Sequence, residues 1–468
     1  VSDADLAPPV RTFALRAGHG AVALHATGVR FPRARWPFGE HFAGYDELTH
    51  LQLGPRFLRI GTRRGIALLP RSSFAEPDAP EALVRALLER VTREPGGAAQ
   101  LARMAEVEET LRHPAPLRAT WIVVALCLAA YAAERILGPA VEHAGFMSPL
   151  LAGDGEPWRL VTANFLHWGP IHLALNALAL LVLGALVERP LGARRTVFIL
   201  GLSGLGSMAS AWLAGYDKLV GASGLAAGLA GAALWLELRF PDRLPVAWRV
   251  PRGLFLFALA IDGLLPLAVP FIAGWAHVGG FLAGGLAAAL CAGPRLGRQP
   301  VGPALATASA LVVAIALASL AGAARFLVAP SAWEGHAERL LALDRAPALL
   351  MNDAAWLIAT ARSPSDKALD DALELAERAV RATGRADPNV LDTLAEAQFR
   401  HGDPRAAIST IEEAIALAPG ESYFREQRRR FAGERSPEDR PTPPDEMPLP
   451  SPRPQREGAP FPEPGISI

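Results

Sequence analysis

Residues 219–236 read LVGASGLAAGLAGAALWL, and the reading of this stretch decides the fold. As a helix rising ~1.5 Å per residue it would be roughly as long as a bilayer's hydrocarbon core is thick, and it contains no ionisable side chain. Gly224 and Gly228 stand four apart, the spacing that lets two membrane helices bring their backbones together. The same spacing recurs in residues 274–294 as Gly280 and Gly284. Working outward, five more apolar segments of membrane length lie at 119–136, 169–187, 196–216, 253–273 and 302–324, which makes seven with these two. The first is interrupted by Glu134 and Arg135. The fifth and sixth run together from Gly253 to Pro294 and are divided by a turn marked by Pro266, Pro270 and Gly274.

The composition agrees. Of 468 residues, 51% are hydrophobic and 20% charged, and the mean hydropathy is +0.22, on the apolar side for a soluble protein. Lys and Arg number 46, as do Asp and Glu. This zero net charge lacks the electrostatic footprint of a nucleic-acid binder. Two cysteines cannot build a disulfide framework, and no Cys, His or carboxylate cluster has ligand spacing, so neither a metal nor an organic cofactor is expected.

Arginines fall after segments two (Arg189, Arg194, Arg195), four (Arg239, Arg243, Arg249, Arg252) and six (Arg295, Arg298). The alternate loops carry Glu142, Asp154 and Glu156 beside Arg159, and Asp217 with Lys218. Cytoplasmic loops hold the positive excess, so the N-terminus is expected in the cytoplasm and, after seven spans, the C-terminus outside. No signal peptide is expected before the first span.

Residues 1–115 alternate apolar and polar residues in short runs, as in Ala21–Phe31 and Phe57–Leu69, and then place Leu83, Leu87, Leu88 and Val91 on one helix face. This predicts a small soluble β-rich domain, cytoplasmic and pleckstrin-homology-like in pattern. Residues 118–326 hold the spans. Within 345–432 a 35-residue period aligns Trp356 with Leu391, Ala372-Leu373 with Ala407-Ile408, and Ala379-Val380 with Ala414-Ile415, a pattern that resembles tetratricopeptide repeats. The stretch Glu421–Phe431 reads as a cap on these repeats, and residues 433–468, rich in proline, as a disordered tail.

Ionisable and polar groups inside spans are costly, so each asks for a reason. Segment two begins Gly169-Pro170-Ile171-His172, with Asn176 one turn deeper on the same face; segment four begins with Gly221-Ala222-Ser223-Gly224; segment six begins Gly274-Trp275-Ala276-His277. All three start on the outer side, so His172, Ser223 and His277 are expected at one depth. A serine beside a histidine can form a nucleophile and general base for attack on a carbonyl. His172, Asn176 and the Ser223 amide are candidate donors to the oxyanion that follows.

With these residues together the sequence resembles the rhomboid family of intramembrane serine proteases. The family's G-x-S-G stands here as Gly221 to Gly224, its H-x-x-x-N as His172 to Asn176, its A-H-x-x-G as Ala276 to Gly280, and the Trp-Arg pair of its first outer loop as Trp158-Arg159. The resemblance covers about 118–294. It implies an all-α polytopic membrane protein with a six-helix core and, in this chain, one extra C-terminal span. It also implies a Ser223–His277 dyad without an aspartate, and as partners a single-span membrane-protein substrate entering from the lipid bilayer. Two departures stand out: Ala227 occupies the position where many relatives carry an aromatic ring against the histidine, and Asp262 sits in the segment expected to gate substrate access.

Alternatives weighed alongside are helix packing for Ser223 and its glycines, interhelical hydrogen bonds for His172 and Asn176, interfacial anchoring for Trp158 and Arg159, and loop ordering or solvation for His167. At the level of function they are a catalytically inactive relative that binds membrane proteins or serves their quality control, a transporter, and an adaptor whose repeats bind a peptide or protein partner. The Ala- and Arg-rich composition and short loops suit a bacterial inner membrane.

Overall fold

The structure is a computed structural model that describes residues 8–16, 20–32, 42–216, 218–250, 253, 260, 273–297, 299–343 and 346–441. The fifth predicted span, apart from Gly253, Ala260 and Ala273, lies outside the described residues and takes Asp262 with it. So do Asp217, Arg252, Arg298 and the tail beyond 441.

Short alternating runs do form strands. The strands β1 (Arg11–Ala14), β2 (Ala21–Leu24), β3 (Gly28–Arg30) and β4 (Phe42–Gly44) make one antiparallel sheet in that order, and β5 (Leu48–Leu53), β6 (Phe57–Thr62) and β7 (Ile66–Pro70) make a second. Helix α1 (Ala79–Arg93) buries Leu83, Leu87 and Val91 on their core, as its apolar spacing requires, while Leu88 stays exposed. A second helix, α2 (Gly97–Arg112), follows a left-handed Gly96 and was not expected from the sequence. Its buried face includes a polar residue, Gln100, whose amide donates to the carbonyls of Tyr45 (2.7 Å) and Leu48 (3.0 Å), so apolar periodicity does not reveal it.

The bundle follows: α3 (Arg118–Leu137); three short helices in the first loop, α4 (Ala140–Gly145), α5 (Pro149–Gly153) and α6 (Arg159–Thr162); then α7 (Pro170–Leu191), α8 (Ala193–Leu213), α9 (Ser223–Arg239), α10 (Gly274–Cys291) and α11 (Pro303–Val328). Helices α3, α7, α8, α10 and α11 are long and apolar enough to cross a membrane. Helix α9 starts later than its apolar stretch: Leu219 is in an extended bridge with Met147, and the helix begins only at Ser223. That leaves it 17 residues, nine of them buried.

Glycines set how the bundle packs. A Cβ on Gly280 would run into the carbonyl of Gly224, and one on Gly284 into the carbonyl of Gly228, so α9 and α10 touch backbone to backbone. Ser207 and Ser203 of α8 close over the same two α9 glycines. At the other end of these helices, polar groups stop the ends that apolar packing cannot satisfy. The fully buried Glu188 accepts from the backbone N–H of Ala119 (2.8 Å) and Thr120 (2.9 Å) and from the Thr120 hydroxyl (2.7 Å), capping α3 from a neighbouring helix. Arg195 donates to the carbonyl of Cys291 (3.0 Å), the last residue of α10.

Beyond the bundle, α12 (Pro330–Leu341), α13 (Ala348–Ala359), α14 (Asp366–Ala382), α15 (Pro388–Arg400), α16 (Pro404–Leu417) and α17 (Ser422–Phe431) share one apolar core. Side-chain oxygens of Ser365, Asp387 and Asp403 cap α14, α15 and α16. The N-terminal sheets meet the bundle at the end where α9 finishes, through Arg63 and Asp242 (2.8 Å). The C-terminal helices meet it at the opposite end, where α9 and α10 begin, through Asp353 and Lys218 (3.2 Å).

Two substitutions test this packing. Gly284→Val should force the backbones of α9 and α10 apart and lower the melting temperature in detergent, a loss of about 1–3 kcal/mol as is typical of overpacking, whereas Gly420→Ala, with open space around it, should leave the melt unchanged. Glu188→Ala should cost about 1–3 kcal/mol in the same assay, because it strands buried donors at the start of α3.

Candidate active site

The chain approaches Ser223 through a left-handed residue. Gly221 has φ +131°, a conformation that disfavours any side chain, and a Cβ there would also lie 2.9 Å from His172 Cε1 and 3.0 Å from His172 Nε2. The glycine therefore both turns the chain into α9 and leaves room for the His172 ring. Gly221 N–H donates to the carbonyl of Ala163 (2.9 Å), which ties this turn to the end of the first loop.

Ser223 is the first residue of α9, so its backbone N–H has no partner within the helix. One helix away, His277 is the fourth residue of α10, and its Nε2 lies 2.8 Å from Ser223 Oγ. This hydrogen bond crosses the glycine contact between the two helices. His172 is the third residue of α7, and Asn176 is buried one turn further along. His172 Nδ1 and Asn176 Nδ2 are buried polar atoms without a hydrogen-bond partner among the described residues. Unsatisfied polar groups are costly inside a protein and draw attention to a site where something else supplies the bond.

Around His172 lie the rings of His167 (5.0 Å between centroids) and Trp168 (5.7 Å). His167 is buried with Nδ1 3.2 Å from the carbonyl of Phe165; burial first, and the neighbouring His172 second, bring its pKa down to about 4. It is thus a neutral residue of the loop.

Trp158 and Arg159 stand elsewhere, inside the first loop. Trp158 Nε1 donates to the carbonyl of Ala144 (2.9 Å), and its ring covers Gly322 of α11. Arg159 is fully buried, paired with Glu156 (Nε to Oε2, 2.6 Å), and donates to the carbonyls of His143 (2.7 Å) and Phe146 (3.0 Å). Both residues shape the loop through these contacts. Gly224 and Gly280 lie in the interhelical contact described above. Position 227, an alanine, supplies no ring to His277.

Sequence reasoning missed the partners of this loop. His336 Nδ1 of α12 lies 2.8 Å from Glu156 Oε1, Arg339 reaches the same oxygen, and His143 and His336 are 3.1 Å apart through their Nε2 atoms. Burial alone would raise Glu156, but the His336 hydrogen bond and the Arg159 charge bring it down to about 2. Burial pushes His143 well below the usual histidine range and lowers His336 too. The i, i+3 spacing of Glu156 and Arg159 could have suggested their pairing; nothing local in the sequence links them to residues some 180 positions away.

Residues 154–294 match the rhomboid domain. Among curated proteins, the chain is 36% identical over 152 residues to RHOMBOID-like protein 6, mitochondrial, of Arabidopsis thaliana, covering 31% of this chain and 45% of the relative. It is 36% identical over 148 residues to rhomboid protease GluP of Bacillus subtilis (strain 168), covering 31% and 28%. To rhomboid protease GlpG of Serratia proteamaculans (strain 568) it is 31% identical over 187 residues, covering 38% and 63%. The chain therefore spans less than two thirds of each of these relatives. Over residues 154–294 the chain is thus similar to rhomboid-domain proteins, and this match together with five helices, among the described residues, long and apolar enough to cross a membrane supports an integral membrane protein.

Proposed function

We propose that the chain is an intramembrane serine endopeptidase that hydrolyses peptide bonds in or near the transmembrane segments of membrane proteins. The observation that carries this reading is the 2.8 Å hydrogen bond between His277 Nε2 and Ser223 Oγ. In the proposed reaction Ser223 Oγ attacks the scissile carbonyl while its proton passes to His277 Nε2. His172, Asn176 and the Ser223 N–H donate to the resulting oxyanion; the buried, unpartnered Asn176 Nδ2 and the Nε2 edge of His172 beside Gly221 support that role. His277 returns the proton to the leaving amine as the C–N bond breaks. Water then attacks the acyl-enzyme, giving a proton to His277, and the ester bond breaks as Ser223 recovers it.

Gly221 and Gly224 with Gly280 serve this site by close approach, and Trp158 with Arg159 by ordering the first loop. The substrate comes from the bilayer, and the chemistry of the dyad asks for no cofactor. The arginine-rich loops support an orientation with the N-terminal domain cytoplasmic and the Ser223 end outside, in a bacterial inner membrane. The two sheets of four and three strands, with α1 against them, support a pleckstrin-homology-like N-terminal domain over residues 1–115. The successive helices α13 to α16 support tetratricopeptide-like repeats over 345–432, capped by α17 and open to a peptide or protein partner.

The test is cleavage of a single-span model substrate by the purified protein in liposomes, alongside labelling by a fluorophosphonate. Ser223→Ala and His277→Ala should each lower cleavage by about 10³-fold or more, and Ser223→Ala should abolish labelling. Asn176→Ala should lower kcat about 10²-fold with KM little changed, the signature of a bond made mainly in the transition state. Equal cleavage by wild type and both dyad variants would overturn the assignment.

A further inference from the structure

Five residues before Ser223, Lys218 lies in the short connection between α8 and α9 with its side chain 19% exposed. Its Nζ is 2.9 Å from Glu142 Oε1 of the first loop and 3.2 Å from Asp353 Oδ2 of α13, and it sits 4.9 Å over the Phe146 ring. One ammonium thus joins three parts of the chain that are far apart in sequence. Burial would weaken its charge, but Asp353 and Glu142 outweigh that and hold its pKa above the ordinary lysine value.

From this point to Ser223 the backbone has little freedom. Leu219 exchanges both of its backbone hydrogen bonds with Met147 (2.9 and 3.0 Å), and Gly221 is bound to Ala163. Val220 is buried in the apolar core that contains Leu350, Met351 and Ala354 of α13. The same C-terminal helices hold the first loop a second time, where His336 and Arg339 meet Glu156. A chain fixed at each step passes a displacement of Lys218 on to the start of α9.

We propose that Lys218 is a positioning residue for the turn that carries Ser223, and that the C-terminal helices bear on the alignment of the dyad through the Lys218–Asp353 ion pair. The proposal rests on the protease reading and deepens it: whatever binds or shifts the C-terminal helices alters the reactivity of Ser223. Arginine can keep a charge at this position, whereas glutamine leaves the carboxylates of Glu142 and Asp353 facing each other without a cation.

The experiment uses the whole 468-residue chain in liposomes and compares wild type with Lys218→Arg, Lys218→Gln, Asp353→Asn and the Lys218→Gln/Asp353→Asn double variant. Three quantities are measured: the rate at which a small fluorophosphonate labels Ser223, kcat and KM on the model substrate, and the melting temperature. Ser223→Ala provides the background. Lys218→Gln should slow labelling and lower kcat about tenfold with KM within about twofold of wild type, and Asp353→Asn should do the same to a smaller degree. Lys218→Arg should recover most of the rate, and the double variant should be no slower than Lys218→Gln. Unchanged labelling in Lys218→Gln overturns the proposal, as does a loss that follows the melting temperature and is not recovered by arginine. Fully additive effects in the double variant overturn the link to Asp353. If wild type itself does not label above Ser223→Ala, the protease reading fails first, and this proposal with it.

Discussion

Everything at the Ser223 end of the bundle depends on how closely α9 and α10 approach, and that distance is set by backbone meeting backbone at Gly224 with Gly280 and at Gly228 with Gly284. In lipid there is little hydrophobic gain from burying one apolar helix against another, so close packing of small residues has to supply the association. Because the contact is made without side chains, it has little room to adjust. The hydrogen bond between Ser223 and His277 spans the same seam, so helix packing and the alignment of these two side chains are one constraint.

Two kinds of polar device surround that seam. Away from Ser223 and His277, Glu188 and Arg195 satisfy helix ends that would otherwise be left bare in an apolar setting. At the Ser223 end, the first loop is built on buried and half-buried polar pairs: Arg159 against Glu156, Glu156 against His336 and Arg339, and Lys218 between Glu142 and Asp353. Burying one such ion without its partner would be severely unfavourable, so each charge holds the segment opposite it in place. The loop and the C-terminal helices therefore form a continuous structure, with Phe146, Leu166 and Val220 in the same apolar core as α13 to α17.

Much of this was legible beforehand, for identifiable reasons. A membrane span is recorded in apolar length, so the segments around 119–136, 169–187, 196–216, 274–294 and 302–324 correspond to helices in the structure, with ends shifted by a few residues. The start of α9 was misplaced, because Leu219 and Val220 are as apolar as the helix that follows although their backbones extend along the first loop. Helix α2 was missed, since Gln100 on its buried face breaks the apolar stripe. The three short helices of the first loop leave no periodic mark at all.

Local sequence by itself determined which stretches could span lipid, where small residues permit close approach, and which few polar side chains lie near the start of a span, because these depend on spacings of a few residues along one helix. Only the tertiary structure decided that His277 meets Ser223 across 54 positions, that Arg159 serves the first loop, and that Lys218 faces Asp353 across 135. Contacts of that kind depend on how whole helices are set against each other, and a charge carries no sign in the sequence of which distant partner will neutralise it.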